Sequence, residues 1–267
     1  MDNKKVVFIT LVSVLLILIP KTEFFGQEND FKNKYENIDK YRDDGYAEVT
    51  LNRKKGLIDR EGNEVIPCKY SSIRKSVVIS PNGYKEVFFV DGLLSVSLDG
   101  KWGNIDEKGK EITPLIYDDI DLYRDDRFAK VKRNGKYGYV DKKGEEVVNC
   151  KYEILGAFEE DGLASIKNNG KWGYIDMNGI EVIPCKYDNI LRKFSSDGFT
   201  LVEIDGKFGY VDVNGTEVVP CKYDKINEFK NGIAVGSANR VKMYIDRQGN
   251  EYKTKKEAQN AIKISQK

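Results

Sequence analysis

Apolar and polar residues alternate along most of this chain with a period of two, as in Gly162, Ala164 and Ile166 of one segment, and that alternation predicts short half-buried β-strands. The alternation is itself repeated. Lys171-Trp172-Gly173-Tyr174-Ile175-Asp176 returns as KYGYVD from Lys136, KFGYVD from Lys207 and KWGNID from Lys101, with worn copies at KKGLID from Lys54 and VKMYID from Val241. Read from a tyrosine, one unit runs Y-x-x-I, a polar stretch, G-x-A-x-V, a turn, K-aromatic-G-Y-(V/I)-D, a second turn and E-V-(I/V)-P-C-K. Copies begin at Tyr35, Tyr70, Tyr117, Tyr152, Tyr187 and Tyr223, and the last stops after Glu251 without its closing phrase. A fixed period of this kind means that one supersecondary unit was copied and is stabilised by stacking on its neighbours.

The turns identify each unit as a meander of three or four strands. Asp99-Gly100, Asn134-Gly135, Asn169-Gly170 and Asp205-Gly206 stand directly before the lysine, and such pairs supply the two positive φ angles of a type I′ hairpin turn. The second turn reads D-x-x-G-x-E in every copy, from Asp59, Gly62 and Glu64 to Asp246, Gly249 and Glu251. Its aspartate is expected to accept local backbone N–H groups while its glycine turns left-handed. The fold class expected is all-β, a tandem array of meander or hairpin units, either an open β-solenoid or propeller-like.

One copy breaks the period. Tyr70 to Gly92 is twelve residues longer than Tyr152 to Gly162, and the additional SVVISPNGYKEVFFV reads as an inserted hairpin around Pro81-Asn82-Gly83. Insertions in repeat proteins emerge as loops, often on a binding face. Val78, Asn82, Tyr84 and Phe88 are the interaction candidates within it, against neutral drift of a surface loop. Outside the repeats, Lys4 and Lys5 precede an apolar run from Val6 to Ile19 closed by Pro20. This run has the length of a signal h-region, short of the ~20 residues that span a bilayer. Residues 1–26 are therefore expected to be a signal peptide cleaved near Gly26, with an uncleaved N-terminal anchor as the alternative and the only route to a membrane. Residues 27–34 read as a linker, 35–251 as the six repeats, and 252–267 as a tail in which KKEAQNAIKI forms a short polar helix.

Composition narrows the chemistry. Charged residues are 33% of the chain with a net charge of +1, which gives no electrostatic ground for a nucleic-acid partner. Histidine is absent, and with it the commonest general base and metal ligand. Cys68, Cys150, Cys185 and Cys221 occupy equivalent positions. Sheets stack about 10 Å apart and a disulfide needs Cα atoms within about 7 Å, so buried free thiols are expected rather than bridges. A zinc site lacks both a CxxC pair and histidine.

The whole phrase, from Trp102-Gly103 and Trp172-Gly173 through D-x-x-G-x-E to the PCKYD-like segment, resembles the WG-repeat family over roughly residues 35 to 251. Tyr137 and Phe208 replace tryptophan in two copies, and Lys55 and Lys242 replace the aromatic in the first and last. The resemblance implies an all-β repeat protein, common in bacteria and often exported, with no catalytic activity attached to the repeat.

No enzyme chemistry stands out. The D-x-x-G-x-E turn superficially resembles a calcium loop but puts glycine fourth rather than sixth. Asp141, Asp176 and Asp212 are repeat-equivalent and explained by the turn, so no carboxylate pair is singled out. The aromatic series Trp102, Tyr137, Trp172 and Phe208 reads first as core, with Trp102 and Trp172 as the glycan-stacking candidates if the rings are exposed. The expectation is a non-catalytic exported protein, without catalytic, cofactor or metal sites, that acts as a protein-interaction or scaffold module at the cell envelope; a glycan-binding module is the alternative.

Overall fold

A computed structural model describes residues 31–123, 127–191, 194–195 and 198–265; the expected signal or anchor segment lies outside them. The protein is all-β, a tandem array of antiparallel meanders, as the alternation predicted. It forms two compact units, one ending at Phe89 and the other beginning at Val90.

In the first unit, β1 (Asn37–Ile38), β2 (Ala47–Leu51), β3 (Lys54–Ile58) and β4 (Glu64–Tyr70) make one four-stranded sheet in sequence order. β5 (Ser72–Ile73) follows, and then β6 (Ser76–Ser80) and β7 (Gly83–Val87) pair as the inserted hairpin. The second unit opens with the meander Leu93–Leu98, Lys101–Asp106 and Glu111–Tyr117. Four sheets of four strands follow, each opened by a short strand just after a repeat tyrosine, two residues long in three of them and five, Ile154–Phe158, in the other.

Both turns take the geometry that their residues dictate. Asn169 and Gly170 have φ of 49° and 75°, and the worn copies hold the same turn without glycine, with Asn52 and Arg53 at 52° and 60°. In the second turn Asp176 Oδ1 accepts the N–H groups of Asn178 and Ile180, both at 2.9 Å. The same bonds recur at Asp106, Asp141, Asp212 and Asp246.

The glycine of the Trp-Gly pair has a different cause. Trp172 pairs with Tyr187 and Tyr174 with Ile183, so the one residue between them, Gly173, faces three on the other strand, and the surplus of two makes a β-bulge at Pro184-Cys185-Lys186. Proline fits this bulge because it has no N–H to contribute to the ladder. The bulged backbone folds down over Gly173, where a Cβ would lie 2.3 Å from Ile183 O. Gly56, Gly103, Gly138 and Gly209 meet the equivalent carbonyls at 2.4–2.5 Å. Met243 holds this position in the last copy, where the outer strand Glu251–Tyr252 ends before any bulge.

Neighbouring sheets are joined by a tyrosine, a glutamate and a lysine. Tyr152, fully buried at the end of one sheet, donates its hydroxyl to Glu181 Oε1 of the next at 2.8 Å, and Lys151 Nζ reaches the same oxygen at 3.1 Å. Tyr117 with Glu146, Tyr187 with Glu217, and Tyr223 with Glu251 repeat the link. Ile116 stands where the lysine belongs, and there Arg133 pairs with Glu146 at 2.7 Å instead. A second link runs along the surface: Lys136 pairs with Glu153, whose oxygens accept the N–H groups of Asn169 and Gly170 in the next hairpin turn, both at 3.1 Å. The second-turn glycines close the stack, since a Cβ on Gly179 would lie 2.5 Å from Val147 O of the preceding repeat.

Each end of the repeat run is covered by something else. In the first unit residues 31–34 are helical rather than a plain linker, and the Phe31 ring sits where a Cβ on Gly62 would come within 2.4 Å of it, taking the place of a preceding repeat. In the second unit the helix Lys255–Ser265 packs on the last two strands and fully buries Ala258. Thr254 and Glu257 form a reciprocal capping box at its start.

Gly173→Ala is expected to cost about 3 kcal/mol or more, at or above the top of the overpacking range, because the added methyl meets backbone that cannot swing aside. Gly170→Ala, with open space around its Cβ but φ of 75°, should cost only about 1–2 kcal/mol. Urea unfolding of both variants measures the difference, and equal losses would contradict the bulge account.

The tyrosine link also sets a pH dependence. Burial would raise the Glu181 carboxyl, but the bonds from Tyr152 and Lys151 outweigh it and hold the group below its ordinary range. Burial first, and then the bond to Glu181, push the Tyr152 hydroxyl far upward. A depressed carboxylate contributes stability above its unfolded pKa of about 4.3 that is lost as pH falls through the folded value; a raised tyrosine contributes below about 10 and loses it as pH climbs. Tyr152→Phe should therefore cost about 1.5–3 kcal/mol at neutral pH and make both limbs of a stability-versus-pH curve shallower, the links at Tyr117, Tyr187 and Tyr223 supplying what slope remains.

Candidate interaction surface

The inserted hairpin is held by its first sheet at several points. At its entry Lys75 Nζ lies 2.6 Å from Asp39 Oδ2 and 3.8 Å from Glu48 Oε1. On the return strand Glu86 pairs with Arg42, while Asp43 and Glu86 exchange bonds through the Glu86 N–H at 2.7 Å and the Asp43 N–H at 2.9 Å. Asp44 Oδ2 accepts the N–H groups of Phe88 and Phe89, and the Tyr46 and Phe89 rings meet edge-on at 5.3 Å. The loop 42–44 thus occupies the outward edge of β7. β6 forms the other edge of the two-stranded sheet.

Strand alternation then decides which side chains face outward. Ser76 and Val87 lie opposite each other and are buried; Val78 opposite Lys85 shares their face and is half-buried. Val77 opposite Glu86 and Ile79 opposite Tyr84 share the other face, at 59%, 84% and 79% exposure for Val77, Ile79 and Tyr84. Asn82 is exposed at the tip.

Of the residues singled out in sequence, Asn82 and Tyr84 are on the surface. Phe88 is not, because at 1% exposure it is a core residue, just past the end of β7. Val78 belongs to the inner face; Val77 and Ile79 take the outward one, a choice that an unbroken Val-Val-Ile run does not reveal. Arg42, Asp43 and Asp44 also escaped sequence reading, since an Arg-Asp-Asp cluster in a polar loop looks like a solvated turn.

Trp102 and Trp172 are half-buried, neither fully core nor free ring faces. Trp102 packs against a cluster that includes Tyr117, Ile120 and Val131, and Lys167 Nζ lies 5.2 Å from the Trp172 ring centre. Tyr137 and Phe208 pack likewise on the cores of their sheets. The fully or nearly buried ring of the phrase is the second aromatic, as at Tyr139, whose hydroxyl bonds Gly156 O of the next sheet at 2.7 Å.

The four cysteines are free thiols, half-buried rather than fully buried as expected, because they sit on the flank of the bulge. Cys68 and Cys221 point toward Val49 O and Val202 O at 3.8 and 3.9 Å. A cavity of about 120 Å3 lies between sheets of the second unit, lined by Asp121, Arg127, Phe128, Lys130, Tyr139 and Phe158. It is well short of the ~300 Å3 at which drug-sized ligand pockets begin.

The WG containing repeat model matches residues 56–76, 102–137, 137–172, 172–208 and 208–235, more than half of the chain. The protein belongs to the WG containing repeat family. No curated protein sequence matches it. Among solved structures, Hsv2p of Kluyveromyces lactis is similar at 11% identity over 79% of this chain and 75% of that one, with a TM-score of 0.30. Apo AztD from Citrobacter koseri is similar at 10% identity over 82% and 71%, with a TM-score of 0.32. The putative TolB from Agrobacterium tumefaciens is similar at 12% identity over 67% and 79%, with a TM-score of 0.26. Likeness at this level carries no argument about what this WG-repeat protein does.

Burial pushes the Cys150, Cys185 and Cys221 thiols up to about 11, with the nearby glutamates adding to it. Titration with a thiol reagent at pH 8 should find these three slow in the native WG-repeat protein and fast in denaturant, since the thiolate is the reacting form.

Proposed function

We propose that this WG-repeat protein is a non-catalytic protein-interaction module, exported to the cell envelope, whose contact surface is the outward face of the inserted hairpin. The observation that carries the reading is an apolar triplet, Val77, Ile79 and Tyr84, presented by a hairpin that salt bridges and backbone bonds fix in place. Preorganised exposed aromatic and aliphatic side chains are the anchors that protein interfaces use. The repeat acids, by contrast, are engaged in turns and inter-sheet bonds, which supports a scaffold rather than a reaction centre. Export rests on the Lys4-Lys5 and Val6–Ile19 pattern.

The glycan alternative would rest on Trp102 and Trp172, whose half-buried rings offer less stacking area than a sugar platform needs. Excising the whole of residues 74–91 would remove Val87 and Phe88 from the core, so surface substitutions are the cleaner test. Val77→Ser, Ile79→Ser and Tyr84→Ser together should leave the unfolding midpoint nearly unchanged, each within about 0.5 kcal/mol, and abolish capture of a binding partner from envelope extract. Unchanged capture by this variant, with loss on Trp102→Ala and Trp172→Ala in a folded protein, would replace the proposal with the glycan reader.

A further inference from the structure

We infer that the partner of the hairpin is a second copy of this chain, joined through β6 edge to edge; the inference rests on the hairpin being the contact surface. β7 has its outward edge taken by the loop 42–44, so β6 is the strand at which another strand can be added. Its sequence, Ser76-Val77-Val78-Ile79-Ser80, reads alike in both directions in its pattern of polar and apolar residues. Laid antiparallel on itself about Val78, it sets Val77 against Ile79 of the second copy, Ile79 against Val77, and serine against serine at both ends.

The hydrogen-bonding parity agrees with that register. Ser80 and Gly83 flank the two-residue turn, and in such a hairpin they, Val78 with Lys85, and Ser76 with Val87 are the pairs bonded to each other. The backbone groups of Val77 and Ile79 therefore point away from β7, as those of Glu86 point outward to Asp43 on the other strand. Antiparallel pairing of 77 with 79 joins outward groups to outward groups on both sides of the two-fold axis. A four-stranded sheet results, across which Tyr84, Ile79 and the second copy's Val77 line up on one face and end at the second copy's Glu86. Such an isologous contact is self-complementary and closes as a dimer. It is small, under the ~1,200 Å2 of standard interfaces, so the dimer is concentration-dependent.

The test uses the purified chain in sedimentation equilibrium, with charge exchange and a cysteine placed on the axis. Wild type should approach twice its monomer mass as concentration rises. Val77→Lys with Ile79→Lys, and Val77→Glu with Ile79→Glu, should each stay monomeric at an unchanged unfolding midpoint, and their equimolar mixture should regain dimer mass. Val78→Cys should form a disulfide-linked dimer under mild oxidation, while wild type, Val77→Cys and Ile79→Cys do not. A monomeric wild type, a mixture no heavier than its components, or cross-linking that ignores position would each overturn the second-copy reading. If capture of a different protein still vanishes on the triple serine substitution, the interaction-module reading survives that failure.

Discussion

The contact between a glycine and a bulged backbone sets the geometry of the repeat. A strand that ends in proline, cysteine and lysine carries more residues than its partner, so its backbone must rise out of the ladder, and only a residue without Cβ leaves room beneath. The bulge also turns the end of that strand so that the following tyrosine drops into the next sheet. Trp-Gly and Pro-Cys-Lys-Tyr are thus two halves of one device. The last copy shows the dependence by contrast, because methionine replaces the glycine where the bulge is missing.

Once the bulge has placed the tyrosine, the links between sheets differ greatly in weight. The lysine-to-acid pairs are exposed, and pairs of that kind contribute about 0–1 kcal/mol each. A buried hydroxyl donating to a carboxylate is worth roughly 1.5–3 kcal/mol and leaves a costly orphan when broken. The tyrosine and glutamate therefore hold neighbouring sheets together, and the lysine mainly orients the carboxylate. This ranking explains why Ile116 is tolerated where lysine is usual, with Arg133 supplying the cation from another strand, while the tyrosine recurs at the head of every repeat.

Local chemistry made most of the fold legible in the sequence. Asn-Gly and D-x-x-G-x-E each require particular φ angles and bonds within four residues, so they could be read from the string, as could the hairpin around Pro81-Asn82. The bulge was not legible, since the cause of Gly173 lies in the backbone of Ile183, and a glycine whose φ is not positive gives no sign of its own. The outward face of the hairpin was only half legible. In Val77-Val78-Ile79 a slip of one residue exchanges the faces, and the bonds to Asp39, Asp43 and Asp44 that choose between them come from more than thirty residues away.

The same physics says where function can reside. A residue that recurs at every period already answers to the stacking of its unit, and changing it in one copy disturbs two sheets. The inserted hairpin answers only to its own anchors: Lys75, Glu86 and Phe88 hold it, and Val77, Ile79 and Tyr84 are left with no part in the core. Large apolar side chains on a fixed edge hairpin are an aggregation hazard unless something covers them. Arg42, Asp43 and Asp44 close one strand edge of this hairpin, and the proposed partner strand would add at the other edge, β6.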